Sequence, residues 1–582
     1  MNNIEINNEI ERKIEKISDL KDMLNKTKEV YGDRPAYKIR DEKETYKIIT
    51  HRQVRDMVDA LGTALIDKLN LKEKRIAVIG ENRYEWGLGY LATACGTGII
   101  VPLDKALPEA ELARLIERSS VSAIFFSNKY ENIIKNIKNN KEYKNNLECL
   151  ISMDLDKSND EVYSQKELIA EGRKLIEEGS KSFIDAKIDA EAMGIMLFTS
   201  GTTSESKVVM LSHRNICANL MAIRKALRAT MEDTAISNLP LHHVFECTVG
   251  LLLSLYSGCQ TVYSDGLIRL VDNLREYKPT IMFCVPGMYE KIYMNVRRMI
   301  DKAGRTKEFE AALEKAKTLS WEERKELFKD IHALVGGNIR VFASGAAALD
   351  PKVEEAYRLM GLNLFQGYGL TESSPVVAVS IYDKYRLGSI GRCLDDQEVK
   401  LADVDEEGMG ELLVKGPNVM IGYYGNEKAT KETLVDGWLH TGDLAKIDED
   451  GYIFICGRKK SVIVLKNGKN IFPEEMEKII NRIPGVEESM VFGKHVSKDD
   501  VNNIKIHVEI VYSKEKMKET YNVESKEEIL KVFQDEIKEI NKTMPKYKSI
   551  RGIVLSEEPL IKTTTNKIKR QLNLDKLEKD NK

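Results

Sequence analysis

The segment GIMLFTSGTTSESKVVMLSH occupies residues 194–213. Its first five residues form a short apolar run, which predicts a buried strand that ends where a run of Ser, Thr and Gly begins. The polar run closes on one lysine, Lys207. Hydroxyls, backbone N–H groups and an ammonium can together wrap a polyphosphate. A solvated polar loop is the alternative, because short motifs taken alone often mislead.

The segment does not match the common nucleotide P-loop, G-x-x-x-x-G-K-[ST]. Counting from Gly201, the second glycine is missing, and Val208 stands where the Mg²⁺-binding hydroxyl would follow the lysine. The sequence therefore predicts a phosphate loop of a different kind, at the end of a strand.

The bulk composition indicates a soluble, globular chain. Its 582 residues exceed what one core usually holds, so we expect several domains. Hydrophobic residues make up 42% and charged residues 31%, which is typical of soluble proteins. With 89 basic and 92 acidic residues, the net charge of -3 gives no electrostatic reason to expect a nucleic-acid partner. The eight cysteines form no CxxC pair, which favours a reducing compartment and speaks against structural zinc.

The N-terminal segment predicts a cytoplasmic protein. It is polar and charged, unlike a signal peptide, and no apolar run in the chain reaches 18 residues. Ile10, Ile14, Ile17, Leu20 and Leu24 recur at helical spacing and predict an amphipathic helix. A weak peripheral membrane contact is one use for such a helix. We favour a packing helix, because its polar face carries as many acids as bases.

Short apolar runs alternate with longer helical patterns up to about residue 385. Four runs predict buried strands that end in loops: RIAVIG (75–80), GIMLF (194–198), TIMFCVP (280–286) and IRVFASG (339–345). Strands that alternate with helices predict α/β layers with mostly parallel pairing. The highly charged residues 296–335 predict an inserted helical segment.

The sequence pattern changes twice after residue 385. EVKLADV, GELLVKG and GYIFICG are short strands separated by glycine turns, and they predict a small antiparallel β-barrel or sheet at about 386–456. Beyond GRKK (457–460), residues 504–510 alternate as in a half-buried strand, and Ser525 with Glu528 predicts a capping box. We therefore predict a large N-terminal domain over residues 1–458 and a small α+β domain over residues 459–582.

The stretch TSGTTSESK (199–207) resembles the phosphate loop of the adenylate-forming superfamily, which includes acyl-CoA synthetases, carrier-loading adenylation domains and beetle luciferases. The usual pattern there is TSGTTG-x-P-K-G. The chain departs from it at Ser204, Ser206 and Val208. The residues that match, and that the resemblance assigns to ATP, are Thr199, Ser200, Gly201, Thr202, Thr203 and Lys207.

Three further motifs in the middle of the chain resemble the same superfamily. LPLHHVFE (239–246) has His243 at the position of the carboxylate pocket, although an isolated histidine is more often a core residue. In ASGAAALD (343–350), Gly345 and Ala346 would approach adenine or the start of an acyl chain. In QGYGLTE (366–372) the resemblance implies that Tyr368 and Gly369 lie against adenine, that Thr371 contacts the α-phosphate region, and that Glu372 holds Mg²⁺.

The remaining motifs lie toward the C-terminus. In GWLHTGDLAKID (437–448), Asp443 would accept hydrogen bonds from the ribose hydroxyls. Arg458 would reach ribose or phosphate, Lys460 would be the hinge of a mobile C-terminal domain, and Gly468 would lie on a loop used in the CoA step. KTTTNKIKR (562–570) places Lys567 at the position of the catalytic lysine; Asn566 replaces a glycine there, and asparagine tolerates a left-handed turn.

The resemblance covers roughly residues 25–575 and is closest to bacterial long-chain fatty-acid–CoA ligases. It implies that ATP and Mg²⁺ activate a carboxylic acid to acyl-AMP, which then passes to the thiol of CoA with release of AMP. Lys567, Glu372, Thr199 and His243 would be the catalytic residues. An acyl carrier protein as acceptor, an aromatic or short acid as substrate, and a non-catalytic nucleotide-binding homologue are the alternatives.

Overall fold

The structure is a computed structural model of the chain. It describes residues 14–41, 45–199, 206–382, 384–465, 469–495, 504–563 and 567–580.

Two large sheets form the main body of the molecule. In the described part of the chain, the first sheet has nine strands, which are, in spatial order, Arg392–Cys393, Val376–Val379, Leu364–Gly369, Val341–Ser344, Ile281–Cys284, Thr234–Ser237, Gln260–Tyr263, Pro35–Arg40 and Tyr46–Thr50. The second has eight: Gly422–Tyr423, Val208–Ser212, Met193–Phe198, Gly98–Pro102, Lys74–Ile79, Ala123–Phe126, Cys149–Ser152 and Tyr163–Ser164.

Alternating side chains bury both faces of these sheets. Ile281 and Phe283 belong to the apolar core shared by the two sheets, whereas Met282 and Cys284 face a second core under helices. A third core covers the outer face of the eight-stranded sheet. Burial on both faces explains why these strands read as continuous apolar runs in the sequence. The predicted α/β layering is confirmed, and the pairing in the centre of both sheets is parallel.

Helices cover the outer faces of the two large sheets, and further helices belong to the C-terminal part of the chain. The α-helices of the described residues are Leu20–Tyr31, His51–Asp67, Tyr84–Ala92, Glu109–Ser119, Glu131–Asn139, Gln165–Glu177, His213–Leu227, Leu253–Tyr256, Leu270–Tyr277, Pro286–Lys302, Thr306–Ala316, Trp321–Leu327, Lys329–Leu334, Pro351–Leu359, Glu427–Thr433, Pro473–Ile480, Lys514–Tyr521, Lys526–Thr543 and Arg570–Asp580. The charged segment 296–335 is helical as predicted. None of the described helices combines the length and the apolar character needed to cross a membrane.

The predicted N-terminal helix is observed in part. Residues 15–19 are not helical, and Ile10 lies outside the described residues. The helix begins at Leu20, after Asp19, whose side chain accepts hydrogen bonds from the backbone N–H groups of Lys21 and Asp22. Leu20 and Leu24 are fully buried in the main core. The apolar face of this helix is therefore occupied by packing within the fold.

The region after residue 385 forms an open sheet. Its strands are Glu398–Ala402, Gly410–Lys415, Trp438–Ile447 and Leu434–Val435, with Ile453–Arg458 paired to Trp438–Ile447. All of these pairs are antiparallel, as predicted. Closure into a barrel, however, is not found among the described strands, because the two edge strands of this path do not pair with each other.

The C-terminal part is built around a sheet of its own. Val486–His495, Ile504–Tyr512 and Ile550–Ser556 form three strands in the described residues, and a short pair joins Ile463–Val464 to Asn470–Ile471. Ser525 and Glu528 form the predicted capping box of the helix Lys526–Thr543. This helix buries Ile529, Phe533 and Ile537 against the sheet.

Candidate functional site

The site lies where four neighbouring parallel strands of the nine-stranded sheet end. Thr234–Ser237, Ile281–Cys284, Val341–Ser344 and Leu364–Gly369 lie side by side. The carboxyl ends of parallel strands meet at one edge, which is where α/β sheets bind ligands. The loops that leave these strands carry His243, Gly345, Ala346, Thr371 and Glu372.

The ends of the predicted phosphate loop are held by a pair of strands. Met193–Phe198 and Val208–Ser212 are antiparallel, with Phe198 opposite Val208. The backbone N–H of Thr199 donates to the carbonyl oxygen of Lys207 at 2.9 Å. Thr199 and Lys207 therefore face each other across the mouth of the loop. Ser200, Gly201, Thr202 and Thr203 lie outside the described residues.

Asp443 is buried between two side chains that come from different strands. The Tyr368 hydroxyl donates to Asp443 Oδ2 at 2.5 Å, and Arg458 Nε lies 2.8 Å from Asp443 Oδ1. Arg458 reaches it because the two residues are opposite each other in the antiparallel strand pair. Burial raises the pKa of the Asp443 carboxyl, while Arg458 and the Tyr368 hydroxyl lower it. The structure thus brings together three of the predicted nucleotide contacts.

Lys567 stands close to this group although it comes from the C-terminal part. Its backbone N–H donates to Thr563 Oγ1 at 3.1 Å, and its carbonyl oxygen accepts from the backbone N–H of Thr563 at 2.8 Å. Burial and the charge of Arg458 lower the pKa of Lys567, whereas Asp443 and Glu372 raise it. The side chain itself remains exposed to solvent. We call the solvent-accessible space beside Lys567, Asp443 and Arg458 the cleft.

His243 belongs to the same neighbourhood. Burial lowers its pKa to about 3, and the adjacent His242 and Lys567 act in the same direction. The rings of His242 and His243 are 4.3 Å apart, and His242 Nε2 lies 3.3 Å from Asp104 Oδ1. His243 is therefore a neutral imidazole at physiological pH, able to donate or accept a hydrogen bond but carrying no charge.

Two glycines and one alanine shape the wall of the cleft. A Cβ at Gly345 would lie 3.1 Å from the ring of Phe245, and one at Gly369 would lie 2.0 Å from the carbonyl oxygen of Pro375. Ala346 is exposed and has a φ of +70°, a conformation that non-glycine residues seldom adopt. Strain of this kind in a loop beside a cleft points to a functional constraint.

Glu372 follows Thr371 in a short helical turn at the end of its strand. Its Oε1 accepts a hydrogen bond from the hydroxyl of Tyr423 at 2.8 Å, and the backbone N–H of Met420 donates to its carbonyl oxygen at 2.9 Å. Tyr423 was not predicted from the sequence. The segment GYYGN that contains it signals a turn, but nothing in its pattern indicates a partner 51 residues earlier.

The carboxylate of Glu372 fits a Mg²⁺ site that is completed by phosphate. The described residues contain no group of three or more His, Cys, Asp or Glu side chains that could hold a metal ion by themselves. Mg²⁺ is usually bound through one or two carboxylates, water and substrate phosphates. The Glu372 carboxylate shares Tyr423 as a neighbour with Lys207 and interacts electrostatically with Lys567, which is compatible with that way of binding.

Two predicted residues lie away from these contacts. Lys460 occupies a helical turn, Lys459–Ser461, directly after the strand that carries Arg458. Its side chain is exposed, whereas the neighbouring Lys459 bonds to Glu411 at 2.9 Å. Gly468 lies outside the described residues. The structure therefore puts Lys460 at the junction of the two parts and leaves its role as a hinge a prediction.

Comparison with known proteins gave matches along most of the chain. The family described as "AMP-binding enzyme" matches residues 24–424, and that described as "AMP-binding enzyme C-terminal domain" matches residues 460–580. The chain is 28% identical to human long-chain-fatty-acid–CoA ligase 1 over 510 residues, 80% of this chain and 70% of that protein. It is 26% identical to long-chain-fatty-acid–CoA ligase FadD15 of Mycobacterium bovis, over 76% of this chain and 75% of that protein.

Solved structures share the fold. The crystal structure of the anthranilate CoA ligase AuaEII in complex with anthranoyl-AMP aligns with a TM-score of 0.74 and 21% identity, over 96% of each chain. At this identity, the likeness concerns the arrangement of the sheets and helices.

Proposed function

Since the chain belongs to the family of AMP-binding enzymes, we propose that it couples a carboxylic acid to AMP and then transfers the acyl group to the thiol of CoA. The acid we propose is a long-chain fatty acid, because the curated relatives bear that substrate in their names. The products are acyl-CoA, AMP and pyrophosphate, so the chain is an acid–thiol ligase. The observation that carries the proposal is the electrostatic neighbourhood shared by Lys567, Asp443 and Glu372.

In the first step, a carboxylate oxygen of the acid attacks the α-phosphorus of ATP, and the bond to the β-phosphate breaks to release pyrophosphate. Negative charge grows on the phosphoryl oxygens, and the ammonium groups of Lys567 and Lys207 would offset it. Fixed charges aimed at developing charge are usually the largest catalytic contribution. Thr199 and residues 200–203 would add hydroxyl and backbone donors, and Thr371 would contact the α-phosphate.

The nucleoside would lie against the strand ends of the large sheet. Asp443 would receive the ribose hydroxyls, with Arg458 beside it, and Tyr368 and Gly369 would lie against adenine. Gly345 and Ala346 would border adenine and the first carbons of the acid. A neutral His243 suits the acid side of the cleft, because it can hydrogen-bond to a carboxylate without holding it as an ion pair.

Glu372 is the residue that would hold Mg²⁺ beside the ATP phosphates. When bound there, Mg²⁺ neutralises charge on the leaving pyrophosphate. A hard cation prefers oxygen ligands, which the Glu372 carboxylate and the phosphates supply.

In the second step, the thiol sulfur of CoA attacks the acyl carbon, and the bond to AMP breaks. In its present position Lys567 would obstruct the entry of the thiol. We therefore propose two domains, residues 1–458 and 459–582, that turn about Lys460 between the steps and bring the loop of Gly468 toward the site. Such a motion often limits turnover.

The test is release of pyrophosphate from ATP and Mg²⁺ with a panel of long-chain, short-chain and aromatic acids, with and without CoA. We expect release with long-chain acids, faster with CoA and accompanied by acyl-CoA. Transfer to an acyl carrier protein instead of CoA, or a preference for another acid, would redirect the proposal. Bound ATP without release for any acid would identify a non-catalytic homologue and overturn it.

A further inference from the structure

The short segment 420–424 fastens the loop of Glu372 to the strand that leaves the phosphate loop. Gly422–Tyr423 pairs antiparallel with Val209 and Met210. The backbone N–H of Ile421 donates to the carbonyl oxygen of Met210 at 3.0 Å, and that of Tyr424 donates to Val208 at 2.8 Å. Tyr423 is therefore paired with the strand Val208–Ser212, and Lys207 is the residue directly before that strand.

The side chain of Tyr423 lies between a cation and an anion of the candidate site. Lys207 Nζ is 4.3 Å from the centroid of the Tyr423 ring, a distance at which the ring face attracts an ammonium. On the other side, the Tyr423 hydroxyl donates to Glu372 Oε1 at 2.8 Å. Only 5% of Tyr423 is exposed, so water does not compete strongly for either contact.

The same segment also fixes the backbone around Glu372. The N–H of Met420 donates to the Glu372 carbonyl oxygen at 2.9 Å, and the Asn418 side chain donates to the carbonyl oxygen of Ser373 at 2.9 Å. Within the described residues, Glu372 Oε2 accepts no hydrogen bond. One carboxylate oxygen is thus anchored by Tyr423, and the other remains for a ligand.

We propose that Tyr423 is a positioning residue that orients the Glu372 carboxylate toward Mg²⁺ and ties it to Lys207 of the phosphate loop. The inference rests on the proposed function and adds to it a residue that does not itself touch substrate. Residues that hydrogen-bond to a metal-binding carboxylate fix its orientation, and their loss typically costs 10–100-fold in metal affinity.

The test compares Tyr423→Phe with its neighbour, Tyr424→Phe. The Tyr424 hydroxyl accepts from Arg75 Nη2 at 2.9 Å and makes no contact with Glu372, so this variant removes a similar hydroxyl from the same segment. The readouts are the dissociation constants of ATP with Mg²⁺ and with EDTA, and the Mg²⁺ concentration that gives half-maximal pyrophosphate release.

We expect Tyr423→Phe to raise the half-maximal Mg²⁺ concentration and the dissociation constant of Mg²⁺-ATP by about tenfold. The affinity for metal-free ATP should change less than twofold, and Tyr424→Phe should match the wild type. In combination with Glu372→Gln, Tyr423→Phe should add little, because Tyr423 is proposed to act on Mg²⁺ only through the Glu372 carboxylate.

Equal loss of ATP affinity with and without Mg²⁺ would indicate a general structural effect and overturn the inference. So would wild-type behaviour of Tyr423→Phe, or additive effects with Glu372→Gln. These outcomes leave the proposed function intact if the wild type releases pyrophosphate. A wild type that neither binds ATP nor releases pyrophosphate would overturn the proposed function and this inference with it.

Discussion

The two parts of the molecule that meet at the cleft are held in place by different forces. On the N-terminal side, Asp443, Tyr368 and Glu372 stand on strands or turns whose neighbours are buried in shared apolar cores. On the C-terminal side, Lys567 belongs to a part that has separate apolar cores. Among the described residues, the apolar clusters before and after residue 460 share no member. The contacts between the parts include ion pairs, such as Arg482 Nη2 to Asp350 Oδ2 at 2.7 Å.

This difference in packing bears on how rigidly each part holds its side chains and on whether it can move. A packed core has few alternative arrangements, so it holds binding groups to within a fraction of an ångström. Polar contacts exchange with water at little net cost, so a part held by them can leave and return. The residues that we propose for nucleotide binding lie in the N-terminal part with its packed cores, and Lys567, which we propose to leave before the second step, lies in the other part.

The largest expected effect comes from removing Lys567. Lys567→Ala should reduce formation of acyl-AMP by about 10²–10³-fold, because a charge aimed at the phosphoryl oxygens is lost. Thioester formation from supplied acyl-AMP should stay within about twofold. Lys569→Ala, two residues along the same segment, is the matched control and should leave both steps near the wild-type rates. Equal loss in both half-reactions for Lys567→Ala would contradict the assignment of Lys567 to the first step alone.

A second prediction concerns acid sensitivity of the packed side. Burial lowers the pKa of His213 to about 4 in the folded chain, from about 6.5 in the unfolded chain. Between these two pH values, His213 is protonated in the unfolded chain and neutral in the folded chain. The free energy of unfolding contributed by His213 therefore rises with pH across this window, by roughly 3 kcal/mol in total. His213→Asn keeps an acceptor for the backbone N–H of Leu20 and removes this titration.

The measurement is urea unfolding of the wild type and of His213→Asn at pH 7 and pH 4.5. Tryptophan fluorescence reports the N-terminal part, because Trp86, Trp321 and Trp438 all precede residue 458. The wild type should lose more stability than the variant on acidification. The quantity to compare is the difference in the free energy of unfolding between the wild type and the variant at each pH. This difference cancels the contribution of Glu246, whose pKa burial raises to about 8 and which therefore makes the fold less stable as the pH rises. A difference that is independent of pH would refute the prediction.

The smallest expected effect is at the polar contact between the parts. Arg482→Ala removes the ion pair with Asp350, and because Arg482 is substantially exposed we expect a change of at most about fivefold. Formation of acyl-AMP should slow, while thioester formation from acyl-AMP should not. Lys514→Ala breaks a more exposed pair inside the C-terminal part, with Glu557 at 2.9 Å, and should affect neither step. If both variants behave alike, the Arg482 pair does not hold the two parts together.

Residues that follow strands could be placed from the sequence. Thr199 directly follows the predicted strand 194–198, and Gly345 ends the predicted strand 339–345. The strands that precede His243 and Glu372 were found only in the structure. The edge where parallel strands end brings such residues together. Asp443 and Arg458 could be predicted as individual contacts. Their pairing depends on the register of two antiparallel strands, which a period of two residues does not fix.

Contacts that depend on pairing of distant segments could not be predicted. Tyr423 reaches Glu372 only because a two-residue strand adds to the edge of the eight-stranded sheet. Closure into a barrel could not be predicted for a related reason, since alternation and glycine turns indicate antiparallel strands but not whether the first and last of them meet. The expected N-terminal helix was interrupted because Asp19 caps a helix that starts at Leu20.

The arrangement around Asp443 has a consequence for the choice of nucleotide. Both of its oxygens already have protein partners, Tyr368 and Arg458. Strong rejection of an analogue that lacks a hydroxyl, by 10⁴–10⁵-fold, arises when a buried group is left unpaired by that analogue. Here the carboxylate would keep its partners if a sugar hydroxyl were missing. The enzyme should therefore accept 2′-deoxy-ATP with a kcat/KM within about a hundredfold of that for ATP. Its use of ribonucleotides in the cell would then follow from the higher concentration of ATP and not from selection at Asp443.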